Sequence, residues 1–114
     1  MIAVIFELQP HDGRAQAYFE MAAGLRAALE SAEGFVSVER FESLTRPGYY
    51  LSLSFWRDEA AVRQWRCTGQ HRAAQQTGRN DVFAGYRLRV AAVLRDYGLD
   101  DRAQAPADSL AALS

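Results

Sequence analysis

The stretch from Tyr49 to Trp56 constrains the fold more than any other, because it has the two-residue period of a strand and is followed directly by the start of a helix. Its side chains alternate as they do in a strand, with one set on each face of a sheet. Asp58 follows two residues later, and aspartate is a favoured N-cap for a helix. We expect the leucine-bearing face to lie against helices. The alternation places Tyr49, Leu51, Leu53 and Phe55 on that face and Tyr50, Ser52, Ser54 and Trp56 on the other.

The remaining strands and the first helix are predicted from residue composition and from the spacing of apolar residues. Runs of β-branched and aromatic residues predict strand 1 over 2–8, strand 2 over 35–43 and strand 4 within 82–97. Apolar residues at spacings of three and four predict a helix that Asp12 caps and that runs to about Ala32. The sequence thus supplies three strands and a helix around the strand at 49–56.

The second helix begins after Asp58, and its inward residues are expected to be Ala61, Val62 and Trp65. Gly69 is expected to kink it. The order is then β-α-β-β-α-β, which predicts an α+β, ferredoxin-like fold: a four-stranded antiparallel sheet with two helices on one face. We expect residues 1–97 to form this domain and residues 98–114 to be a C-terminal tail with a short helix at 108–113.

Composition excludes several classes of partner. A chain of 114 residues is one domain, and a net charge of −1 gives no field that attracts nucleic acid or an anionic membrane. No segment approaches the roughly 20 apolar residues that span a bilayer. Cys67 is the only cysteine, so an intrachain disulfide and a cysteine metal site are excluded. The N-terminus lacks the basic region of a signal peptide. We expect a cytoplasmic protein.

The face that carries Tyr50, Ser52, Ser54 and Trp56 bears no charge, and helices on one side of the sheet would leave it to water in a monomer. An uncharged surface with two large aromatic rings is expected to pack on something, most simply on the same face of a second copy. The sequence therefore predicts a homodimer through the sheet face. The alternative is a monomer with a solvated amphipathic face.

The chain resembles the antibiotic biosynthesis monooxygenase family of dimeric α/β barrels. The residues that carry the resemblance are Gly34-Phe35, the run Phe55-Trp56-Arg57-Asp58-Glu59-Ala60, Trp65, and His71-Arg72-Ala73-Ala74-Gln75. The resemblance covers about residues 1–97. It implies a homodimer with a cavity in each subunit between the helices and the sheet. Some members oxidise phenols or quinols with dioxygen and without metal or flavin, some bind and degrade haem, and many have no known activity.

Trp65 and His71 are the candidate catalytic residues. Trp65 matches the family's pocket tryptophan, and its ring would stack on an aromatic substrate, although a core anchor is the plainer reading. His71 has a near-neutral pKa that suits a base for a phenolic proton, although a surface histidine is the alternative. On an uninterrupted helix the two would lie about 120° apart around the axis.

Four further residues are candidates for substrate binding. Tyr86 and Tyr49 are expected on the cavity face of their strands with a hydroxyl at its mouth, and Phe6 on strand 1 is expected to form a wall. Arg79, predicted in the loop before strand 4, could hold an anionic substrate with its guanidinium. A half-buried tyrosine and an exposed loop arginine are the ordinary alternatives.

The sequence predicts no metal site and no cofactor. Two histidines without carboxylates at ligand spacing do not build a zinc or iron site. In haem-degrading relatives, a histidine on helix 2 and an asparagine on strand 1 fall at the positions of Gln75 and Phe6 here. The resemblance implies, as the main expectation, a cofactor-independent monooxygenase that acts on a small aromatic or quinol-type molecule. A haem-binding or haem-degrading protein and a non-enzymatic ligand-binding dimer are the alternatives.

Overall fold

The computed structural model describes residues 1–113, with the side chains of all but Gln70, Asn80 and Leu113. Within these residues four antiparallel strands form one sheet in the order β2-β3-β1-β4. The strands are β1 (Ile2–Pro10), β2 (Phe35–Glu42), β3 (Tyr50–Trp56) and β4 (Phe83–Ala92). This is the predicted ferredoxin-like sheet, in which each strand pairs antiparallel with its neighbours.

Three helices cover one face of the sheet, because the predicted second helix is divided in two. They are α1 (Ala15–Glu30), α2 (Glu59–Arg66) and α3 (Gly69–Thr77), and a π-helical turn (Gly78–Val82) leads from α3 into β4. The division falls at Thr68 rather than at Gly69: the Thr68 hydroxyl accepts a hydrogen bond from the amide of His71 at 3.2 Å and starts α3. A threonine N-cap, and not a glycine kink, redirects the chain here.

The two capping predictions have different outcomes. Asp58 caps α2 as predicted, because its Oδ1 accepts from the backbone amide of Ala61 at 2.8 Å. Asp12 does not cap α1; the N-cap residue is Arg14, which makes no side-chain capping bond. Gly13 at φ 77° separates Asp12 from the first turn of α1.

The prediction of which face of β3 meets the helices is wrong. The register aligns Ser52 with Phe6 and Ser54 with Val4, and these four side chains all lie beneath the helices. The opposite face carries Leu51, Leu53 and Phe55, with Ala3 and Ile5 of β1 beside them. The strand alternates as predicted, but the serine-bearing face is the inner one and the leucine-bearing face is the outer one.

Most of the buried apolar side chains belong to two groups. The first joins α1, β3 and α2 through Leu29, Trp56, Ala61, Val62 and Trp65, which confirms the predicted inward face of the second helix. The second joins β1, α1 and the π-helical turn through Leu8, Tyr18 and Val82. Both groups lie on the inner face of the sheet.

Gly34 sets the position of α2 on the sheet. Its φ is +78°, its carbonyl accepts from the amide of Arg57 at 2.7 Å, and a Cβ added to it would lie 2.5 Å from the Cβ of Ala61. A side chain at this position would therefore push α2 away from the start of β2.

The segment after β4 folds on itself. The guanidinium of Arg102 lies over the ring of Tyr97 at 5.3 Å, and the amide of Asp96 donates to Gln104 at 2.9 Å. Helix α4 (Ala107–Leu113) ends the described chain, close to the predicted helix at 108–113. No helix in the described part of the chain is long and apolar enough to cross a bilayer.

Candidate active site

A pocket of about 580 Å³ lies between the inner face of the sheet and the helices. A volume of this order suits one small organic molecule. Its floor is formed by strand residues with small or apolar side chains, and α1, α2 and α3 form the roof. The floor includes Val4, Phe6, Ser52, Ser54, Leu88 and Val90.

Trp65 and His71 lie side by side in this pocket. Their ring centroids are 5.3 Å apart, and Trp65 continues the stack to Trp56 with centroids 6.3 Å apart. The Thr68 hydroxyl explains the contact, because it donates to the carbonyl of Trp65 and accepts from the amide of His71. The expected separation of about 120° does not apply, since it assumed one unbroken helix.

The environment of His71 keeps its imidazole neutral. Burial lowers the pKa of His71 below its ordinary value of 6.5, and the charges of Arg72 and Arg66 lower it further, against the opposing effect of the Arg66 backbone carbonyl. Its Nδ1 is enclosed and has no hydrogen-bond partner among the described residues. At neutral pH the ring is therefore uncharged, which is the form in which a histidine can act as a base.

Arginine supplies all the formal charge around the pocket. Arg66, Arg72 and Arg79 line it from exposed positions, and no aspartate or glutamate is among its lining residues in the described part of the chain. Arg79 is not in a loop as predicted, because it belongs to the π-helical turn. A cavity lined by one sign of charge favours an anion.

Three aromatic rings form one wall. Phe6 contacts Phe83 edge-on with centroids 5.5 Å apart, and Tyr86 lies 5.6 Å from Phe6 and 6.1 Å from Phe83. Tyr86 is 49% exposed, so it lies at the rim. Rings in these tilted arrangements offer both edges and faces to an aromatic ligand.

Tyr49 does not line the pocket, contrary to the prediction. It precedes β3, and the guanidinium of Arg46 lies 4.2 Å from its ring centroid. The neighbouring residue Tyr50 is on the inner face, opposite Leu8. The structure thus brings together five of the six predicted site residues and leaves Tyr49 outside; their roles remain predictions. The five are Phe6, Trp65, His71, Arg79 and Tyr86.

Sequence comparison places this geometry in a family. Residues 1–77 match the sequence model of the antibiotic biosynthesis monooxygenase family. The chain belongs to that family. It is 46% identical over 93 residues to a protein named jasmonate monooxygenase ABM from Pyricularia oryzae, in a match that covers 82% of this chain and 43% of that relative. It is 31% identical over 78 residues to the uncharacterized protein YqjZ of Bacillus subtilis, which covers 68% of this chain and 67% of YqjZ. The chain thus spans less than half the length of the jasmonate monooxygenase.

Solved structures show the same fold at low identity. Rv0793 from Mycobacterium tuberculosis has a TM-score of 0.76 at 16% identity and covers 85% of this chain and 98% of its own. PA3566 from Pseudomonas aeruginosa has a TM-score of 0.71 at 15% identity, with coverages of 82% and 93%. At this identity the likeness establishes the ferredoxin-like fold of the family and says nothing of the reaction.

The family includes haem-degrading proteins, and the residues present do not fit haem. The two positions expected to supply a ligating histidine and an asparagine are Gln75 and Phe6, and both line the pocket. Phenylalanine offers no donor atom, and a glutamine amide is a poor ligand for haem iron compared with imidazole. The remaining imidazole, His71, is four residues before the expected ligand position and is packed against the ring of Trp65.

Sequence reasoning missed several residues that line the pocket, and two of them are hydrogen-bonded to each other. Arg40 on β2 and Tyr18 on α1 line it, and the Nε of Arg40 donates to the Tyr18 hydroxyl at 3.3 Å. Tyr18 appears in the sequence only as one member of the apolar stripe of α1. The signal for Arg40 was its parity with Val38, two residues earlier, which a correct assignment of the inner face would have exposed.

Proposed function

We propose that this chain is a homodimeric monooxygenase that uses dioxygen to oxygenate a small aromatic or quinol-type molecule in the pocket. The contact between Trp65 and His71 carries the proposal, because it places a neutral imidazole at the edge of a large aromatic surface inside a cavity of suitable size. A ring stacked on Trp65 would present its acidic proton to His71.

The proposed chemistry needs no cofactor because the substrate supplies the electrons. For an activated methylene beside a phenol or ketone, the balance is R₂CH₂ + O₂ → R₂C=O + H₂O. His71 accepts the proton that leaves the substrate, the resulting anion reduces dioxygen, and one oxygen atom remains on carbon while the other leaves as water. The protein has to raise the acidity of the substrate and keep the anion away from bulk water.

The arginines around the pocket perform that first task in this proposal. His71 is a weak base because its pKa is lowered, so it can take a proton only from a substrate whose anion is itself stabilised. Arg66 and Arg72 act on His71 and on the substrate with opposite results: they disfavour the imidazolium and favour the anion. The site therefore suits molecules that are already acidic, such as hydroquinones and anthrones.

Oxygen uptake measures this activity directly. A panel of hydroquinones, anthrones and jasmonate is incubated with the protein, with and without an external two-electron donor such as NADPH. We expect uptake without the donor, with turnover lost in His71→Ala and reduced in Trp65→Ala. His11→Ala is the matched control, because His11 is exposed in a turn outside the pocket.

Three results would contradict the proposal. They are no uptake with any compound, uptake only with the donor, and equal turnover in His71→Ala and His11→Ala. Tight binding of a panel member without any uptake would favour the alternative of a ligand-binding dimer.

The outer face of the sheet supports the homodimer. It has an apolar centre with Ile5, Leu53 and Phe55, and charges of opposite sign at its two edges. Glu39 is opposite Leu53 on the β2 side, and Arg87 and Arg89 are on the β4 side opposite Glu7 and Ile5. Arg89 is paired with Glu7 of its own chain at 3.0 Å, whereas Arg87 forms no ion pair among the described residues. A twofold axis parallel to the strands would lay the acidic edge of one copy on the basic edge of the other and bury both apolar centres.

Sedimentation at micromolar concentration tests the dimer. We expect a species of twice 12.7 kDa in the wild type and monomers in Leu53→Glu. Leu44→Glu is the control, because Leu44 is fully exposed outside the strands. A wild-type chain that sediments only as a monomer would exclude this interface. We also propose a cytoplasmic location, for which the single, exposed and free Cys67 is the supporting feature.

A further inference from the structure

Arg40 differs from the other arginines of the pocket in being partly buried. It lies on the inner face of β2 with Ser52 directly opposite it on β3, whereas Arg66, Arg72 and Arg79 are exposed. Among the described residues it forms no ion pair with an aspartate or glutamate. A partly desolvated guanidinium without a counter-charge is costly, and an anionic ligand would remove that cost.

The side chains around Arg40 hold it in place and add donors. Tyr18 is only 4% exposed, and its hydroxyl accepts the Nε–H of Arg40 at 3.3 Å. Because this hydroxyl accepts from Arg40, its own hydrogen is free to be donated elsewhere. The two terminal nitrogens of the guanidinium and the hydroxyl of Ser52 complete a set of donors without an acidic acceptor among the residues that line the pocket.

The sheet register gives the pocket floor a polar end and an apolar end. Arg40, Ser52, Phe6 and Leu88 lie in one row across four strands, from β2 to β4. The next row toward Trp56 is apolar except for Ser54 and consists of Val38, Ser54, Val4 and Val90. A ligand whose anionic group rests on Arg40 can therefore extend its apolar body over this row toward Trp56 and Trp65. Trp56, at the Trp65 end of the pocket, is four residues from Ser52 along β3, a distance of about 13 Å.

We infer that Arg40, Tyr18 and Ser52 form a subsite for the carboxylate of an amphipathic organic acid, which orients the apolar part of the substrate toward Trp65 and His71. The inference rests on the proposed function only in naming the reaction that follows binding. The binding itself follows from the uncompensated guanidinium, and it narrows the substrate class from aromatic molecules in general to those that carry a carboxylate about one pocket length from the reacting ring.

Binding of a matched pair of probes tests the subsite without reference to turnover. Naphthalene-1-acetate and its methyl ester differ in the carboxylate charge, and quenching of tryptophan fluorescence reports their binding near Trp56 and Trp65. We expect the acid to bind wild-type protein at least tenfold more tightly than the ester. We expect Arg40→Gln to weaken the acid by about 10- to 100-fold, the range for hydrogen bonds to a charged group, and to leave the ester unchanged.

Further variants separate this site from general charge effects and from misfolding. Arg40→Lys keeps the charge but loses the fork, so we expect partial loss, and Tyr18→Phe should weaken only the acid. Arg26→Gln is the control, because Arg26 is exposed on α1 and paired with Glu30 at 2.8 Å. Circular dichroism checks that each variant is folded.

Two outcomes overturn the inference: equal affinity of wild-type protein for acid and ester, or loss of the acid preference in Arg79→Gln but not in Arg40→Gln or Arg40→Lys. The proposed function fails independently. Acid-selective binding without oxygen uptake would remove the monooxygenase and leave the subsite, whereas oxygen uptake without acid preference would remove the subsite and leave the monooxygenase.

Discussion

Replacing Gly34 by alanine should destabilise the protein through two separable effects. The first is conformational, because φ is +78° and an L-residue in this region costs about 1–2 kcal/mol. The second is steric, because the new Cβ would lie 2.5 Å from the Cβ of Ala61. Carbon atoms prefer about 3.5 Å or more, so α2 must move away by about 1 Å, at a cost typical of overpacking, about 1–3 kcal/mol.

The expected loss in the free energy of unfolding is thus about 2–5 kcal/mol, a large share of the roughly 5–15 kcal/mol of a whole domain. Urea denaturation followed by tryptophan fluorescence measures it, since Trp56 and Trp65 are buried. The same displacement of α2 carries Trp65 away from the pocket floor. Gly34→Ala should therefore also weaken binding of aromatic probes.

Two other glycines separate the effects. Gly48 has φ +85° and nothing within 4 Å of an added Cβ, so Gly48→Ala should show the conformational cost alone. Gly24 is inside α1 with open space around it, so Gly24→Ala should stabilise the protein by about 1 kcal/mol. Ala61→Gly combined with Gly34→Ala removes the clash and should recover the steric part of the lost free energy of unfolding. A loss in Gly34→Ala no larger than in Gly48→Ala, or no coupling with Ala61→Gly, would refute the reasoning.

The other predictions concern pH and the aromatic wall. Because the folded pKa of His71 is lowered, the unfolded chain binds the extra proton, and stability should fall as pH drops below about 6.5; His71→Gln should flatten this dependence in urea titrations. The Ala61 amide, followed by Arg57, lowers the pKa of Asp58, so stability present above its ordinary 3.8 should be lost as pH falls further, and less so in Asp58→Asn. Gly78→Ala should lower affinity for aromatic probes, because its Cβ would meet the Phe83 ring at 2.5 Å.

For each of these three predictions, one experimental result would contradict it. Unchanged pH dependence between pH 5 and 7 in His71→Gln would mean that the imidazole is solvated rather than buried. The same slope below pH 4 in Asp58→Asn as in wild type would place the acid sensitivity elsewhere. The Gly78→Ala variant should regain affinity for aromatic probes when it is combined with Phe83→Leu. If it does not, the loss of affinity does not come from contact with the Phe83 ring.

The amino-acid sequence contained the elements and their order, because strand and helix periods and the Asp58 cap are local properties. The prediction of four strands and helices on one face is confirmed, and so is the inward set of α2, Ala61, Val62 and Trp65. The contact between Trp65 and His71 was not predictable from helix geometry. It depends on Thr68, whose hydroxyl competes with the helical bonding of the backbone and starts a new helix.

Only the tertiary structure decided which face of the sheet is the inside. The alternation along β3 predicts two faces, one with Leu51, Leu53 and Phe55 and the other with Ser52, Ser54 and Trp56. It does not predict which of the two faces the helices cover, because the two-residue period is the same in both cases. The more apolar face was expected to meet the helices and in fact lies opposite them. The serines lie beneath the helices, and their small side chains leave the volume that becomes the pocket. That volume exists only between elements that are distant in the sequence and are brought together by folding.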